Sequence, residues 1–479
     1  MRRMLKALSI GLIATLAASA AFAQAADEAV WFSIVADDGA VLGHASSEIE
    51  QSAGGRAFID SQEVYLREQG GEPARIVTRS VRTEDAAGRT VSIVETAQTG
   101  RARTRVEARI DGLSVEVVRE TQAGRWTGAA ALTPAARLDG GEALLRTWDP
   151  AAAPRLTFES FSLDALTVEH VTMEAAGARD AEGRFPALRR RYQNGALIGI
   201  SRLTIDRSGR VVEVAQPMFG ATIHIRATDR ETATRRHPPY QVVPNMMVPS
   251  PFRIATSATR GHIRYRLRFH DGLDFALPQT GEQRMSGEGD EATVDICEGC
   301  GPGLATDPAS LADALRATPW LQSDDPRIRA IVEPVARMDT TDARKMELLI
   351  ERARPYLERI DFAGHYSALD TINRRAGDCT EAAVLLAAFG RASGIPTRVV
   401  SGLVYSRASY HGVANAFMPH SWTLAYVDGH WRSFDLALNE FDSTHIALTV
   451  GDGDARTIAA AGQLASLLRF DGMVEVRRR

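Results

Sequence analysis

Residues 30–229 consist of short runs in which apolar and polar side chains alternate, separated by turn residues. Examples are Ile76–Val81 and Thr90–Thr96, and Asp111-Gly112 follows another run. Alternation with a period of two is typical of strands with one buried face, and Asp-Gly pairs favour hairpin turns. The pattern therefore predicts a large antiparallel β domain at residues 26–235, interrupted by a helix only near residues 134–145.

Residues 236–303 are predicted to be a linker followed by an additional β segment. Pro238 and Pro239 interrupt the chain, and Gly261–Phe269 then alternates apolar with mostly basic residues. Such a strand buries one face and exposes its arginines to solvent. No motif before Gly303 has the residue types of a catalytic site, so the role of the first 300 residues stays open.

Beyond residue 303 the apolar period lengthens to that of helices. Three helix starts carry an Asp or Thr cap, two of them with proline at the first helical position. The second helix is expected to extend to about Arg337 and the third to about Ile360. Strands return at Thr397–Tyr405 and in a later hairpin. Helices followed by antiparallel strands predict an α+β domain at residues 304–479, and thus a multidomain chain. The three starts are Asp307-Pro308, Asp325-Pro326 and Thr341.

The first 25 residues have the pattern of a cleaved signal peptide. Basic residues precede the apolar run Leu8–Ala21, and Ala21-Phe22-Ala23 has the small-x-small form of a cleavage site. No later run reaches the roughly 20 apolar residues that span a bilayer. We therefore expect a periplasmic or secreted protein with no transmembrane segment after processing. The net charge of −4 gives no reason to expect nucleic acid binding.

The chain contains only three cysteines, Cys297, Cys300 and Cys379. In an oxidising compartment the two that are close in sequence are expected to form a disulfide. A zinc site at this pair lacks two further ligands nearby, with only His262 and His270 upstream. Cys379 is left as a free thiol.

Cys379 is predicted to start a buried helix. Asp378 is an N-cap residue, Ala382–Phe389 is apolar on every face, and Ser393-Gly394 forms a C-terminal stop. A thiol at the positive end of a helix dipole is expected to ionise more readily, which favours a nucleophile. The alternative is a small buried core cysteine.

A β-hairpin downstream supplies partners for the thiol. Asp428-Gly429 predicts a two-residue turn in which Val427 opposes His430. That register places His420 and Asp435 on the same face as diagonal neighbours. An imidazole beside a carboxylate is what a cysteine nucleophile requires of its base.

Three other histidines compete with His420 for this role. His411 lies in a loop, His430 at the turn and His445 beyond the hairpin. For none of these three does the sequence place a carboxylate on the same face as clearly as it places Asp435 beside His420, although Asp442 could orient His445.

These motifs together resemble the transglutaminase-like superfamily over residues 310–450. The resemblance rests on Gly377-Asp378-Cys379 at a helix start, Gly394–Arg398 entering a strand, His420-Ser-Trp and Asp435. The superfamily shares a papain-like core and the order Cys, His, Asp. The resemblance implies Cys379 as nucleophile, His420 as general acid/base and Asp435 as orienting acid.

The activity implied is attack on an amide bond of a peptide or protein in the cell envelope to form a thioester. Hydrolysis is preferred over amine transfer, since water is the default acceptor. The alternative is a non-catalytic module that binds a peptide or partner. The Cys379 backbone N–H is the first expected oxyanion donor, with Tyr366, Asn373 and Trp422 as candidates for the second. No calcium, phosphate or nucleotide motif is present, so neither cofactor nor metal is expected.

Overall fold

The computed structural model describes residues 29–67, 73–100, 102–218, 220–241, 247–270, 273, 276–287, 289–359, 365–408 and 413–476. The predicted signal peptide and His411 lie outside these residues. The chain divides between Val242 and Val243 into an N-terminal and a C-terminal compact unit. Among the helices described, none is both long and apolar enough to cross a membrane.

The N-terminal unit is built on one sixteen-stranded sheet. Strands β1 to β8 form one antiparallel meander and β10 to β15 form a second, and β1 pairs with β15 to join them. The β-rich, antiparallel architecture expected for this region is confirmed. Its elements are β1 (Val30–Ala36), β2 (Val41–Ser52), β3 (Gly55–Arg67), β4 (Ala74–Asp85), β5 (Thr90–Thr99), β6 (Ala102–Asp111), β7 (Ser114–Thr121), β8 (Gly124–Ala131), β9 (Ala136–Arg137), α1 (Glu142–Thr147), β10 (Arg155–Ser162), β11 (Thr167–Ala175), β12 (Phe185–Gln193), β13 (Ala196–Ile205), β14 (Val211–Met218), β15 (Ala221–Thr228), α2 (Arg230–Thr234) and β16 (Tyr240–Gln241).

The helical interruption in this unit is shorter and later than the sequence pattern indicated. Helix α1 begins only at Glu142, although a helix was expected from about residue 134. Gly140 and Gly141 have φ angles of 63° and 89°, a left-handed conformation that cannot continue a helix. The short helix α2, capped by Asp229, was not anticipated.

The C-terminal unit contains a five-stranded sheet, in the order β17-β22-β21-β24 with β23 on β22, and a four-stranded sheet, in the order β19-β20-β18-β25. The unit is the expected mixture of helices and antiparallel strands. Its elements are β17 (Val248–Pro249), β18 (His262–Phe269), β19 (Gln283–Ser286), β20 (Glu291–Ile296), α3 (Pro308–Asp313), α4 (Pro326–Ala336), α5 (Asp342–Ala353), α6 (Ala368–Arg374), α7 (Cys379–Ala392), β21 (Thr397–Ser406), β22 (Ala416–Val427), β23 (His430–Phe434), β24 (Ile446–Gly451), α8 (Ala455–Ser466) and β25 (Leu468–Val476).

The β segment before residue 303 shares a sheet with the end of the chain. Strand β18 pairs with β20 on one side and with β25, the last strand, on the other. Cys297 and Cys300 follow β20 directly and are joined by a disulfide. Long-range pairing of this kind leaves no local signal, so residues 247–303 could not be grouped with the C-terminal unit from sequence pattern alone.

Capping residues mark the helix starts as predicted. Asp307, Asp325 and Thr341 each accept backbone N–H bonds at the start of α3, α4 and α5. Helix α5 ends at Ala353, earlier than the predicted Ile360, because Pro355 has no N–H to continue the helical hydrogen bonds. A single 3-10 turn follows at residues 354–356. Helices α6 and α8 were not predicted.

Helix α7 forms the centre of the C-terminal unit. Every residue from Thr380 to Arg391 is buried, as expected for a helix that is apolar on all faces. The Thr423 hydroxyl of β22 donates to the Ala383 carbonyl of α7 at 3.0 Å. This contact fixes the first turns of α7 against β22, the strand that carries His420.

Candidate active site

The start of α7 is held by a capping box, in which the side chains of Asp378 and Glu381 each accept the backbone N–H of the other residue. The Asp378 carboxylate accepts the Thr380 N–H at 2.6 Å, and Glu381 accepts the Asp378 N–H at 2.8 Å. Glu381 also accepts the Tyr366 N–H at 3.0 Å. Because Glu381 is fully buried, its pKa is raised. Glu381 was not among the residues predicted from the sequence, although the Asp-x-x-Glu spacing is that of a capping box.

Cys379 is the first residue of α7 and carries a free thiol. The residue is partly exposed, and the Ser421 backbone N–H of β22 lies near enough to its sulfur to lower the pKa of the thiol. Burial raises the pKa of the thiol well above its usual value, the carboxylates of Asp378, Glu381 and Asp435 raise it further, and only the Ser421 N–H opposes them. The expectation of a lowered thiol pKa is therefore wrong, because nearby carboxylates and burial act against the helix dipole.

The hairpin of β22 and β23 has the predicted register. Val427 pairs with His430, and the turn residues Asp428 and Gly429 have φ angles of 51° and 85°. Positive φ at both positions is the requirement of a type I′ turn. Pairing continues to Thr423 opposite Phe434.

His420 and Asp435 form a buried hydrogen-bonded pair. His420 Nε2 lies 2.7 Å from Asp435 Oδ2, and the two side chains are 5% and 0% exposed. Asp435 Oδ1 accepts the Leu438 N–H at 2.8 Å. Burial alone would raise the pKa of Asp435, but the charges and hydrogen bonds of His420 and His445 outweigh it and hold the pKa well below its usual range. Within the described residues His420 Nδ1 has no hydrogen-bonding partner.

Strand β22 directs His420 and Thr423 to opposite faces, because successive side chains of a strand alternate. Thr423 faces α7, whereas His420 shares its face with Trp422, the ring centroids of the two lying 6.1 Å apart. The Cys379 sulfur meets the strand at the Ser421 backbone N–H, next to His420 in the chain. The thiol therefore lies beside β22 at the residue next to His420, and the Asp435 carboxylate is near enough to raise the thiol pKa.

His445 joins this pair as a second imidazole. Its Nε2 lies 3.1 Å from Asp435 Oδ2, and its Nδ1 lies 3.1 Å from Asp442 Oδ1. Burial opposes protonation of His445, but hydrogen bonds to Asp435 and Asp442 outweigh it and raise the pKa to about 9. Asp442 does contact His445, as the sequence allowed. The contact with Asp435 had no sequence signal, because His445 lies beyond the hairpin whose register was predictable. His430 is exposed at the turn.

The three candidate oxyanion donors lie in different surroundings. The Trp422 indole N–H donates to the Ser433 hydroxyl at 3.2 Å, inside the core. Asn373 is exposed on α6. Tyr366 is buried, and its backbone N–H binds Glu381 in the first turn of α7. Of the three, Tyr366 is the one connected to the start of α7 by a hydrogen bond.

His420, Asp435 and His445 also have the composition of a metal site, with potential ligand atoms within 4.8 Å of one another. Their spacings of 2.7 and 3.1 Å are those of hydrogen bonds, and the same Asp435 oxygen accepts from both imidazoles. A metal would have to displace both bonds, and the three ligands would match a catalytic zinc site completed by water and not a structural one. The arrangement fits a proton-bearing network better than a metal centre.

Comparison with known proteins matches part of this chain to a protein family. Residues 329–436 match the model of the transglutaminase-like superfamily. No curated protein matches the chain.

Among solved structures, similarity extends to "a Putative Cysteine Protease from Cytophaga hutchinsonii", with 17% identity over 45% of this chain and 86% of that one and a TM-score of 0.28. The periplasmic domain of TgpA from Pseudomonas aeruginosa, bound to ethylmercury, shows 14% identity over 57% of this chain and 72% of that one, with a TM-score of 0.26. A beta-barrel-like protein of a domain of unknown function from Brucella abortus shows 13% identity over 42% of this chain and 95% of that one, with a TM-score of 0.34. The resemblance inferred from the motifs around Cys379 is confirmed by the family model, and residues 329–436 form a transglutaminase-like domain.

Proposed function

We propose that this protein is an exported thiol enzyme that acts on amide bonds of peptides or proteins through a thioester on Cys379. The observation that carries the proposal is a free thiol at the start of α7, in contact with the strand residue next to a buried histidine–aspartate pair. The transglutaminase-like family match supports the same chemistry. The predicted signal peptide supports action in the cell envelope.

The hydrogen bond from His420 Nε2–H to Asp435 selects the tautomer whose lone pair is on Nδ1. In the proposed reaction Nδ1 removes the Cys379 thiol proton as the sulfur attacks the amide carbon. The Cys379 backbone N–H, at the first position of α7, has no partner within the helix and can bind the developing oxyanion. Tyr366 is proposed as the second donor.

Collapse of the tetrahedral intermediate breaks the C–N bond and gives the His420 proton to the leaving amine. The thioester is then attacked by water, whose proton passes to His420, and the released thiolate is reprotonated by His420. An amine in place of water would give transfer instead of hydrolysis. We propose hydrolysis as the main outcome, because water needs no binding site of its own.

The raised pKa of Cys379 means that proton removal and attack must be coupled, since little thiolate exists beforehand at neutral pH. The same observation favours the alternative function, a peptide-binding module in which Cys379 is inert. The two differ in the pH dependence of thiol reactivity.

The test is the rate of Cys379 alkylation by iodoacetamide between pH 4 and pH 10, followed by intact mass. If His420 acts as base, the rate rises as His420 loses its proton and then levels off, and His420→Ala abolishes this limb. His430→Ala, at the exposed turn of the same hairpin, is the matched control and leaves the profile unchanged. An inert thiol instead shows a rate that climbs about tenfold per pH unit toward the thiol pKa in all three proteins.

Substrate and acceptor are tested with libraries of peptides and peptidoglycan fragments. Cleavage or ammonia release by the wild-type protein, absent in Cys379→Ala, supports hydrolysis. Incorporation of an added primary amine at the expense of hydrolysis would instead assign the protein as a transferase.

A further inference from the structure

We propose that His445 is a positioning residue of this site: a second imidazole, held by Asp442, that shares the Asp435 carboxylate with His420 and thereby sets the protonation state in which His420 acts. This inference rests on the proposed function for its catalytic meaning. The hydrogen-bond network that carries it is independent of the reaction.

The shared acceptor is a single oxygen. His420 Nε2 and His445 Nε2 lie 2.7 and 3.1 Å from Asp435 Oδ2. An ionised carboxylate can only accept, so each Nε2 must carry a proton. Asp435 therefore orients two rings, and its negative charge is divided between two donors.

The second nitrogen of His445 also faces oxygen atoms. Nδ1 lies 3.1 Å from both the carboxylate oxygen and the backbone carbonyl of Asp442, with the Asp442 N–H at 3.2 Å. The carboxylate and the carbonyl of Asp442 are both acceptors, and together they outweigh the single N–H donor. They therefore favour a proton on Nδ1 of His445 as well. With both nitrogens protonated, His445 is an imidazolium between two carboxylates. Burial lowers the pKa of His445, but Asp435 and Asp442 outweigh it and raise the pKa to about 9, which agrees with a positive charge at neutral pH.

The charge on His445 acts on His420 at short range. The ring centroids of His420 and His445 lie 5.5 Å apart, and both rings are buried. A positive charge at this distance disfavours a second one on His420. His445 therefore favours the neutral form of His420, in which the Nδ1 lone pair is available as base.

The titratable groups that face His445 come from several elements. His420 faces it from β22, Asp435 from the segment after β23, and Asp442 from the loop before β24. Tyr265 of β18 lies near Asp442 and donates to the Ser443 carbonyl at 2.9 Å. Burial raises the pKa of Tyr265 well above its usual value, so it stays neutral wherever the two histidines titrate.

The direct test is NMR titration of the imidazoles in the full chain labelled at histidine, with His420 assigned by its loss in His420→Ala. In His445→Gln the midpoint of His420 is expected to rise by about one pH unit. His430→Gln, the control, leaves it unchanged. An unchanged His420 midpoint in folded His445→Gln overturns the proposal.

Asp442→Asn provides a second route if His445→Gln does not fold. Removing the Asp442 charge is expected to lower the midpoint of His445 itself by at least about one pH unit. A His445 midpoint that stays near 9 in Asp442→Asn would show that Asp442 does not hold the ring, and would also overturn the proposal.

Alkylation of Cys379 separates this proposal from the proposed function. If His445→Gln moves the acid limb of the alkylation profile upward by the same amount as the NMR midpoint, both stand. If His420→Ala removes the limb but His445→Gln leaves it in place, the base role of His420 stands and the role of His445 fails. If neither variant changes the profile, the proposed function fails, and the NMR midpoint of His420 still decides whether His445 controls its charge.

Discussion

Raising the pH from 6 to 10 is expected to destabilise the C-terminal unit through the buried charge of His445. The folded pKa of His445 is about 9, against an ordinary value of 6.5. At about 1.4 kcal/mol per pH unit, this difference corresponds to about 3 kcal/mol of folding free energy. The side chain is 1% exposed, so solvent screening does not reduce the value appreciably.

The sign follows from the raised pKa. Below about pH 6.5 both folded and unfolded states bind the proton, and the full contribution is present. Between pH 6.5 and about pH 9 the folded state alone keeps the proton, and stability falls as pH rises. Above about pH 9 neither state keeps it, and the contribution is lost.

The assay is urea unfolding of the full chain at half-unit pH steps, followed by tryptophan fluorescence, for wild type and His445→Gln. The wild type is expected to lose about 3 kcal/mol relative to the variant between pH 6 and pH 10. Titrating groups that lie away from His445 cancel in this difference, and His430→Gln provides a control with a flat difference. A gap between wild type and His445→Gln that stays constant over this range would refute the assignment of a buried charge to His445.

Three further substitutions test the structure around the site. Asp378→Ala removes the cap of α7 and is expected to lower the free energy of unfolding in urea by about 1 kcal/mol. The substitution also removes a negative charge that raises the thiol pKa, so we expect faster Cys379 alkylation at pH 8. A slower rate would contradict this expectation. Thr423→Val removes the 3.0 Å hydrogen bond to the Ala383 carbonyl, which keeps its helical bond within α7, and is expected to cost about 0.5–1.5 kcal/mol. An unchanged urea midpoint would mean that the contact contributes nothing. Gly281→Ala places a Cβ 1.8 Å from the Trp431 carbonyl oxygen and is expected to lower the free energy of unfolding by about 1–3 kcal/mol or to prevent folding. Unchanged stability in urea would show that the two backbone segments are farther apart than this.

Local chemistry explains why parts of this fold were predictable. Asp428-Gly429 determines both the turn and the pairing of Val427 with His430, so the common face of His420 and Asp435 followed from counting residues. The caps of α3, α4 and α5 were readable for the same reason, since a cap acts on N–H groups within three residues of itself.

Features that depend on contacts between distant segments were not predictable. The pairing of β18 with β25 joins residues separated by about 200 positions, and no local pattern encodes it. The raised pKa of Cys379 is another example. Helix position alone predicted the opposite direction, because the carboxylates and the burial that raise the pKa come from the assembled site.

By itself, the amino-acid sequence determined the order of strand-rich and mixed regions, the apolar helix behind Cys379 and the pairing of His420 with Asp435. Each depends on periodicity or turn geometry over a few residues. Tertiary structure alone decided that the Asp435 carboxylate accepts hydrogen bonds from two imidazoles and that the Ser421 N–H lies beside the thiol. Those contacts form only when α7, β22 and the segment before β24 pack together, and the electrostatic effect of each group depends on the burial that this packing creates.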